Sequence, residues 1–310
     1  MTRHREYRSA TELPPELMSI GSLNAYEDGP DHVRVACRLS DPNYEVGQLA
    51  ILRISMTTFE VTVEYVVDQF FMGFHSLPGI RDILVETGGY VRRWAASEWA
   101  ISQVASSFLR DGFSLAGAVD FVVGNDGEIF RSENMGEWSR DTTPTPNTIL
   151  GIGGISANHL YAVGGNGTLL KARGSDWESI DLGLGTDLRC LLVGQEMVLV
   201  AGDRGIAGAL AQDEFRLFET GIESDILSVA AFGGEIYFSD SDFGLHRLSG
   251  DAFLPVAELG YVYRLNSGPE WLTADAGEYV FQFNGKDWRG IEITFRDGYR
   301  AEPFDMSFLA

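Results

Sequence analysis

Acidic side chains recur in the glycine-rich turns of this sequence. Six of them occupy comparable places: Glu86, Asp126, Asp203, Asp240, Asp242 and Asp275. Carboxylates gathered at one place bind divalent cations or the basic surface of another protein. They can also carry out the acid and base steps of a hydrolysis. Aspartate is equally favoured in turns because its side chain hydrogen-bonds the local backbone, and that structural interpretation stays open.

The histidines and cysteines do not form a recognisable site. None of the five histidines is paired at metal-ligand spacing, so we predict no metal and no cofactor. Cys37 and Cys190 lie far apart between apolar neighbours, which predicts buried thiols in a reducing compartment. The glycine turn 164–167 lies between predicted strands rather than before a helix, so it is not a phosphate-binding loop. We therefore predict that the chain is not an enzyme.

Two landmarks repeat along the chain and define the elements that hold these turns. An aromatic residue recurs at regular intervals, as Phe59, Trp99, Trp138, Trp177, Phe215, Phe253 and Trp288. A glycine turn keeps the same phase and is best preserved at residues 123–127 and 163–167. Each period reads as four short strands separated by turns. A period of about 40 residues of this kind predicts an all-β fold, a seven-bladed β-propeller of four-stranded antiparallel blades.

The predicted fold brings the acidic turns together. In a propeller, the turns between second and third strands and the loops between blades lie on one face. We therefore expect the six carboxylates to surround one mouth of the central channel and to bind a partner there. Residues 68–74 belong to the same face, and Phe71 and Phe74 are candidates for a protein-contact patch. They could equally be the strand ends of two blades.

The chain divides into three parts. Residues 1–16 are a polar lead-in, residues 17–294 are the propeller, and residues 295–310 are a C-terminal tail that could close the ring. Part of the N-terminal segment could close it instead. The polar N-terminus predicts no secretory leader, and no apolar run is long enough for a transmembrane helix. These features predict a cytoplasmic protein.

The repeat resembles a known family. Residues 164–170, followed by Ser175, Asp176 and Trp177, resemble the repeat of the photosystem II stability/assembly-factor family. They are also similar to the Asp-box repeats of bacterial neuraminidases. The resemblance covers about residues 72–294, but the Asp-box at 132–138 is one residue short of the usual spacing. Nothing marks out the arginine cluster and the tyrosine–glutamate pair of a sialidase, so the resemblance implies the architecture and no functional residue.

The charge of the chain indicates the class of its partner. Asp and Glu total 45 against 23 Lys and Arg, a formal net charge of −22. Such a charge repels nucleic acid and anionic membranes and attracts basic proteins, although it could also serve solubility alone. We predict a non-catalytic protein-binding scaffold, specifically a cytoplasmic bacterial immunity protein that neutralises a basic, nuclease-like toxin. The alternatives are a glycoside or metal-assisted hydrolase with its site at the channel mouth, and a glycan-binding lectin.

Overall fold

The structure of the chain is a computed structural model that describes residues 19–41, 47–77, 79–95, 98–115 and 118–309. The predicted lead-in at residues 1–16 lies outside these ranges. The described chain forms seven antiparallel sheets, six of four strands and one of five. The first strand of each sheet contacts the first strand of the next, and the last sheet contacts the first. This arrangement confirms the predicted all-β, seven-bladed propeller.

The first three blades contain the strands β1 to β12. Blade 1 contains β1 to β4, which span Ser19–Glu27, His32–Ser40, Gly47–Ser55 and Val61–Val67. Blade 2 contains β5 to β8, which span Phe71–Leu77, Arg81–Glu86, Tyr90–Ala95 and Glu98–Gln103. Blade 3 contains β9 to β12, which span Leu109–Leu115, Val119–Gly124, Ile129–Glu133 and Ser139–Arg140.

The remaining four blades contain β13 to β29. Blade 4 contains β13 to β16, which span Ile149–Ser156, His159–Gly164, Thr168–Arg173 and Asp176–Ile180. Blade 5 contains β17 to β20, which span Leu188–Val193, Met197–Gly202, Ala207–Ala211 and Glu214–Leu217. Blade 6 contains β21 to β24, which span Ile226–Phe232, Glu235–Asp240, Gly244–Ser249 and Ala252–Glu258. Blade 7 contains β25 to β29, which span Arg264–Ser267, Leu272–Ala276, Tyr279–Phe283, Trp288–Phe295 and Tyr299–Pro303.

The ring closes where blade 1 packs against blade 7, each blade being built from consecutive strands. β1 lies against β25 and β26. The Ser22 N–H donates to the Gly277 carbonyl at 2.8 Å, and the Asn266 side-chain amide donates to the Ala25 carbonyl at 2.8 Å. β29 pairs with β28 as a fifth strand of blade 7. The seam is therefore held by polar contacts between the first and last blades as well as by packing.

The core lies between neighbouring blades, and the second strand is among the most buried parts of a blade. Every residue of β6 and of β26 is buried, because both faces of these strands pack on other blades. Most of the landmark aromatics lie on or directly beside the fourth strands, as the repeat predicts. Phe59 differs, because it lies in the turn before β4 with a φ of 60°.

Glycine recurs in these turns for two reasons: the backbone takes a positive φ, and another segment of the chain approaches it closely. Gly167 has a φ of +70°, and a Cβ atom there would lie 2.1 Å from the Leu184 carbonyl oxygen. At Gly205 the φ is +68°, and the added Cβ would lie 1.8 Å from the Ile222 oxygen. Only glycine fits such places without displacing the backbone. The turn after the second strand is thus packed on the following interblade loop, and the two share one face as predicted.

Candidate functional site

Three of the six predicted carboxylates are buried at or next to the C-terminal end of a second strand. Glu86 is 6% exposed and pairs with Arg92. Asp240 is 2% exposed, and its Oδ1 accepts N–H groups from the next turn while its Oδ2 lies 2.9 Å from His246 Nε2. Although burial by itself raises it, these hydrogen bonds lower the pKa of Asp240 to about 2. Asp240 therefore stays ionised and holds the backbone of its turn.

Asp275 is the third buried carboxylate and lies at the seam of the ring. It is 0% exposed, and its Oδ1 accepts hydrogen bonds from the Ser22 hydroxyl of blade 1 and the Gly277 N–H. Its Oδ2 has no hydrogen-bond partner in the described part of the chain. Burial raises the pKa of Asp275 to about 7, against the opposing effect of those two donors. The side chain thus joins the last blade to the first in an apolar environment.

The other three carboxylates reach solvent. Asp126 and Asp242 are exposed, and Asp203 is half-buried beside Arg189. Arg189 also lies 3.4 Å from Asp225, a carboxylate that the sequence analysis missed. Asp126 adopts a φ of 55° directly before a glycine, a backbone conformation that Asp and Asn tolerate better than most residues. The backbone conformation therefore accounts for an aspartate at this position, whether or not its side chain binds a partner.

Phe71 and Phe74 lie inside the propeller. They are 1% and 2% exposed and pack with Leu49, Ile51 and Leu84 between blades 1 and 2. Both residues belong to β5, the innermost strand of blade 2, which is covered by the neighbouring blades. Burial removes both rings from the surface that a partner would meet.

The central channel contains charged groups that the sequence analysis did not single out. A cavity of about 130 Å³ is lined by residues from the first strands of all seven blades. Asp111 Oδ1 and Arg264 Nη2 face each other across it at 3.7 Å. Burial lowers the pKa of His75, another lining residue, to about 4, so its ring is neutral at pH 7. Asp111 and Arg264, charged residues within first strands, were the sequence signal that could have indicated this cluster.

Arginines and apolar side chains lie at the mouth of the channel. The described residues around it are Met72, Arg110, Leu150, Arg189, Leu227, Tyr263 and Arg264. Asp203 and Asp225 contact Arg189, one of these residues. The mouth is therefore basic and apolar at its centre, with carboxylates beside it. Two further exposed carboxylates in the interblade loops are Asp181 and Glu223.

Among the described residues, no three His, Cys, Asp or Glu side chains come together as metal ligands do. Within the same residues, no helix is long and apolar enough to cross a membrane.

Comparison with solved structures confirms the class of fold. The chain superposes on the computationally designed protein Ika8 with a TM-score of 0.61 and 10% identity, over 92% of this chain and 97% of that one. YCF48 bound to a D1 peptide gives a TM-score of 0.61 and 11% identity, over 94% of each chain. The second similarity confirms the resemblance to the photosystem II assembly-factor family at the level of the fold.

Comparison of sequences adds one relative. The chain matches no family model. It is 23% identical over 196 residues to the immune protein Tsi7 of Pseudomonas aeruginosa. The aligned part covers 58% of this chain and 63% of that protein, so it spans less than two thirds of the relative.

Proposed function

We propose that this chain is a non-catalytic, cytoplasmic bacterial immunity protein that binds and neutralises a basic, nuclease-like toxin. The observation that carries the proposal is the similarity to the immune protein Tsi7 over 196 residues. A propeller is a general scaffold, so the fold by itself does not select this function. The charge of the chain supports a basic partner.

The proposed interface is the face that carries the glycine turns and interblade loops. Its exposed carboxylates include Asp126, Asp181, Glu223 and Asp242. None of these four has an arginine or lysine within ion-pair distance in the described part of the chain. Because their charges are not already neutralised, they are available to cations of a partner. At a net charge of −22, the field of the whole chain also speeds the encounter with such a partner.

The remaining predicted residues have supporting roles in this proposal. Glu86, Asp240 and Asp275 hold the turns from inside, so they position the exposed carboxylates rather than contact the partner. Asp203 is paired with Arg189 and would exchange that contact for a cation of the toxin.

Purification of the tagged chain from its native host tests the proposal directly. We expect a basic protein to co-purify at low salt and to be released at high salt, because screening weakens attraction between exposed charges. The isolated partner should degrade nucleic acid, and addition of one equivalent of the chain should stop that activity. Failure to recover a partner, together with turnover of a hydrolase substrate panel by the chain itself, would overturn the proposal in favour of an enzyme.

A further inference from the structure

A groove of about 410 Å³ lies between blades 1 and 2. Its wall includes Asp28 and Arg34 of blade 1, and Ile80, Asp82 and Trp94 of blade 2. None of its described lining residues borders the central channel. Ligand pockets in proteins have volumes of about 300–1,000 Å³, so the groove is large enough to receive a side chain from another molecule.

Negative charge exceeds positive charge on the wall of the groove. Its charged lining residues are three carboxylates and two arginines, namely Asp28, Glu64, Asp82, Arg34 and Arg81. Arg34 serves two of the carboxylates, with Nε 2.7 Å from Glu64 and Nη1 2.6 Å from Asp82. Arg81 directs Nη1 to the buried Asp120 of blade 3 instead. Asp28 is already paired with Arg53, whose Nε lies 2.5 Å from its Oδ2. A further cation entering the groove would therefore meet Glu64 and Asp82, the two carboxylates that share a single arginine.

Asp82, a lining residue of the groove, has one buried carboxylate oxygen without a partner in the described chain. The Asp82 side chain is 1% exposed, and its Oδ1 is held by Arg34 and Ser76. Its Oδ2 has no hydrogen-bond partner among the residues that the structure describes. Burial raises the pKa of Asp82 in spite of the adjacent Arg34, and Glu64 adds to the effect. Additional positive charge beside Asp82 would offset the free-energy cost of keeping this buried carboxylate ionised.

Trp94 is the aromatic residue that lines the groove, and two further rings pack behind it. The Trp94 ring lies 5.5 Å from that of Trp99, which in turn lies 4.4 Å from Tyr65. Arginines lie over several aromatic rings of this chain, but none of those described lies over Trp94. Ile80 beside it is 62% exposed. Tryptophan binds cations best of the aromatic residues and is enriched among the residues that dominate binding energy at protein interfaces.

We propose that this groove binds an arginine side chain presented by a protein partner. The guanidinium would lie over Trp94 and beside Glu64 and Asp82, with its methylene groups against Ile80. Arginine fits better than lysine because its planar group stacks on an aromatic ring and donates to two carboxylates together. The residues of the groove are distinct from the carboxylates of the proposed toxin-binding face, so this inference goes beyond the proposed function and does not depend on it.

Titration of the purified chain with N-acetylarginine amide tests the groove. The readout is the NMR signal of the Trp94 indole N–H, assigned as the signal that Trp94→Phe removes. We expect a saturable shift of that signal. The uncharged analogue N-acetylcitrulline amide, which has nearly the same shape, should produce none. Equal shifts with the two probes, or no saturable shift with the arginine probe, would overturn the proposal.

A matched pair of variants distinguishes binding in the groove from an effect of the overall charge of the chain. Glu64→Gln removes a carboxylate beside Arg34 and should weaken binding of the arginine probe about fivefold. Glu178→Gln removes a carboxylate that pairs with Arg173 at 2.8 Å on blade 4, and binding should stay unchanged. Equal weakening by both variants would contradict a local site. The probe experiment needs no toxin, so its outcome remains readable even if the native host yields no partner.

Discussion

Trp177 of blade 4 donates its indole N–H to Asp141 of blade 3 at 3.0 Å, and both side chains are buried. A backbone hydrogen bond joins the same two blades, since the Trp177 N–H donates to the Thr142 carbonyl at 3.0 Å. The recurring aromatic that reveals the repeat therefore connects neighbouring blades at this place. We infer that the aromatic recurs because each blade must pack against its neighbour.

The bond between Trp177 and Asp141 gives a first prediction. Asp141→Ala should lower the free energy of unfolding by about 1–3 kcal/mol, because it leaves the buried indole N–H without an acceptor and removes the carboxylate that lies 3.1 Å from Arg131 Nε. Asp141→Asn keeps an acceptor and should cost less. Chemical denaturation measures both. The exposed Asp176→Asn serves as the control, and an equal effect of that substitution would show that charge rather than the bond matters.

The glycine turns give a second prediction from two residues with nearly the same φ. Gly167 and Gly174 have φ values of +70° and +71°, but only at Gly167 would a Cβ atom meet another backbone segment. Gly174→Ala should cost about 1 kcal/mol of stability from the left-handed conformation alone. Gly167→Ala should cost clearly more, because the Leu184 carbonyl must move. Similar denaturation midpoints for the two variants would contradict the close approach.

The seam of the ring gives a third prediction, which concerns pH. The pKa of Asp275 is about 7 in the folded chain and about 3.9 in an unfolded one. Because the folded state holds this proton more tightly, its stabilising contribution is present below pH 4 and is lost as the pH rises through 7. Asp275→Asn removes the titration, so the variant should gain stability relative to wild type above pH 7, by at most about 4 kcal/mol.

Comparison of unfolding curves at pH 5, 7 and 8.5 measures that effect. Only the difference between wild type and Asp275→Asn is informative, because other groups titrate in both proteins. Parallel stability profiles for the two would show that Asp275 keeps an ordinary pKa at the seam.

The proposed interface gives a fourth prediction, about association with the toxin. The triple variant of Asp126→Asn, Glu223→Gln and Asp242→Asn should slow association about tenfold at low salt, with a smaller difference at high salt. The control carries Glu196→Gln, Asp213→Asn and Asp287→Asn, which remove three exposed carboxylates from turns at the opposite ends of the strands. Stopped-flow mixing measures both rates. Equal slowing would mean that net charge, not this face, governs the encounter.

Local pattern explains why the fold was predictable. A turn such as 164–167 and an aromatic such as Trp177 act within one blade or on a neighbouring blade, so their spacing repeats along the chain. That regular spacing was sufficient for the blade number, the strand order and the shared face of the glycine turns. The exposure of the predicted carboxylates was not accessible from the pattern, since Glu86 and Asp126 occupy similar places after or at the end of a second strand and differ in burial.

The sequence by itself determined the propeller, because repetition and turn chemistry are properties of neighbouring residues. Only the tertiary structure decided which acidic side chains reach solvent, that Phe71 is enclosed, and that arginines lie at the channel mouth. It also placed Asp111 opposite Arg264 and Arg34 beside Asp82. The channel pair joins residues of blades 3 and 7, and the groove joins two blades. Such contacts arise from ring closure and blade packing, which produce no repeating pattern in the sequence.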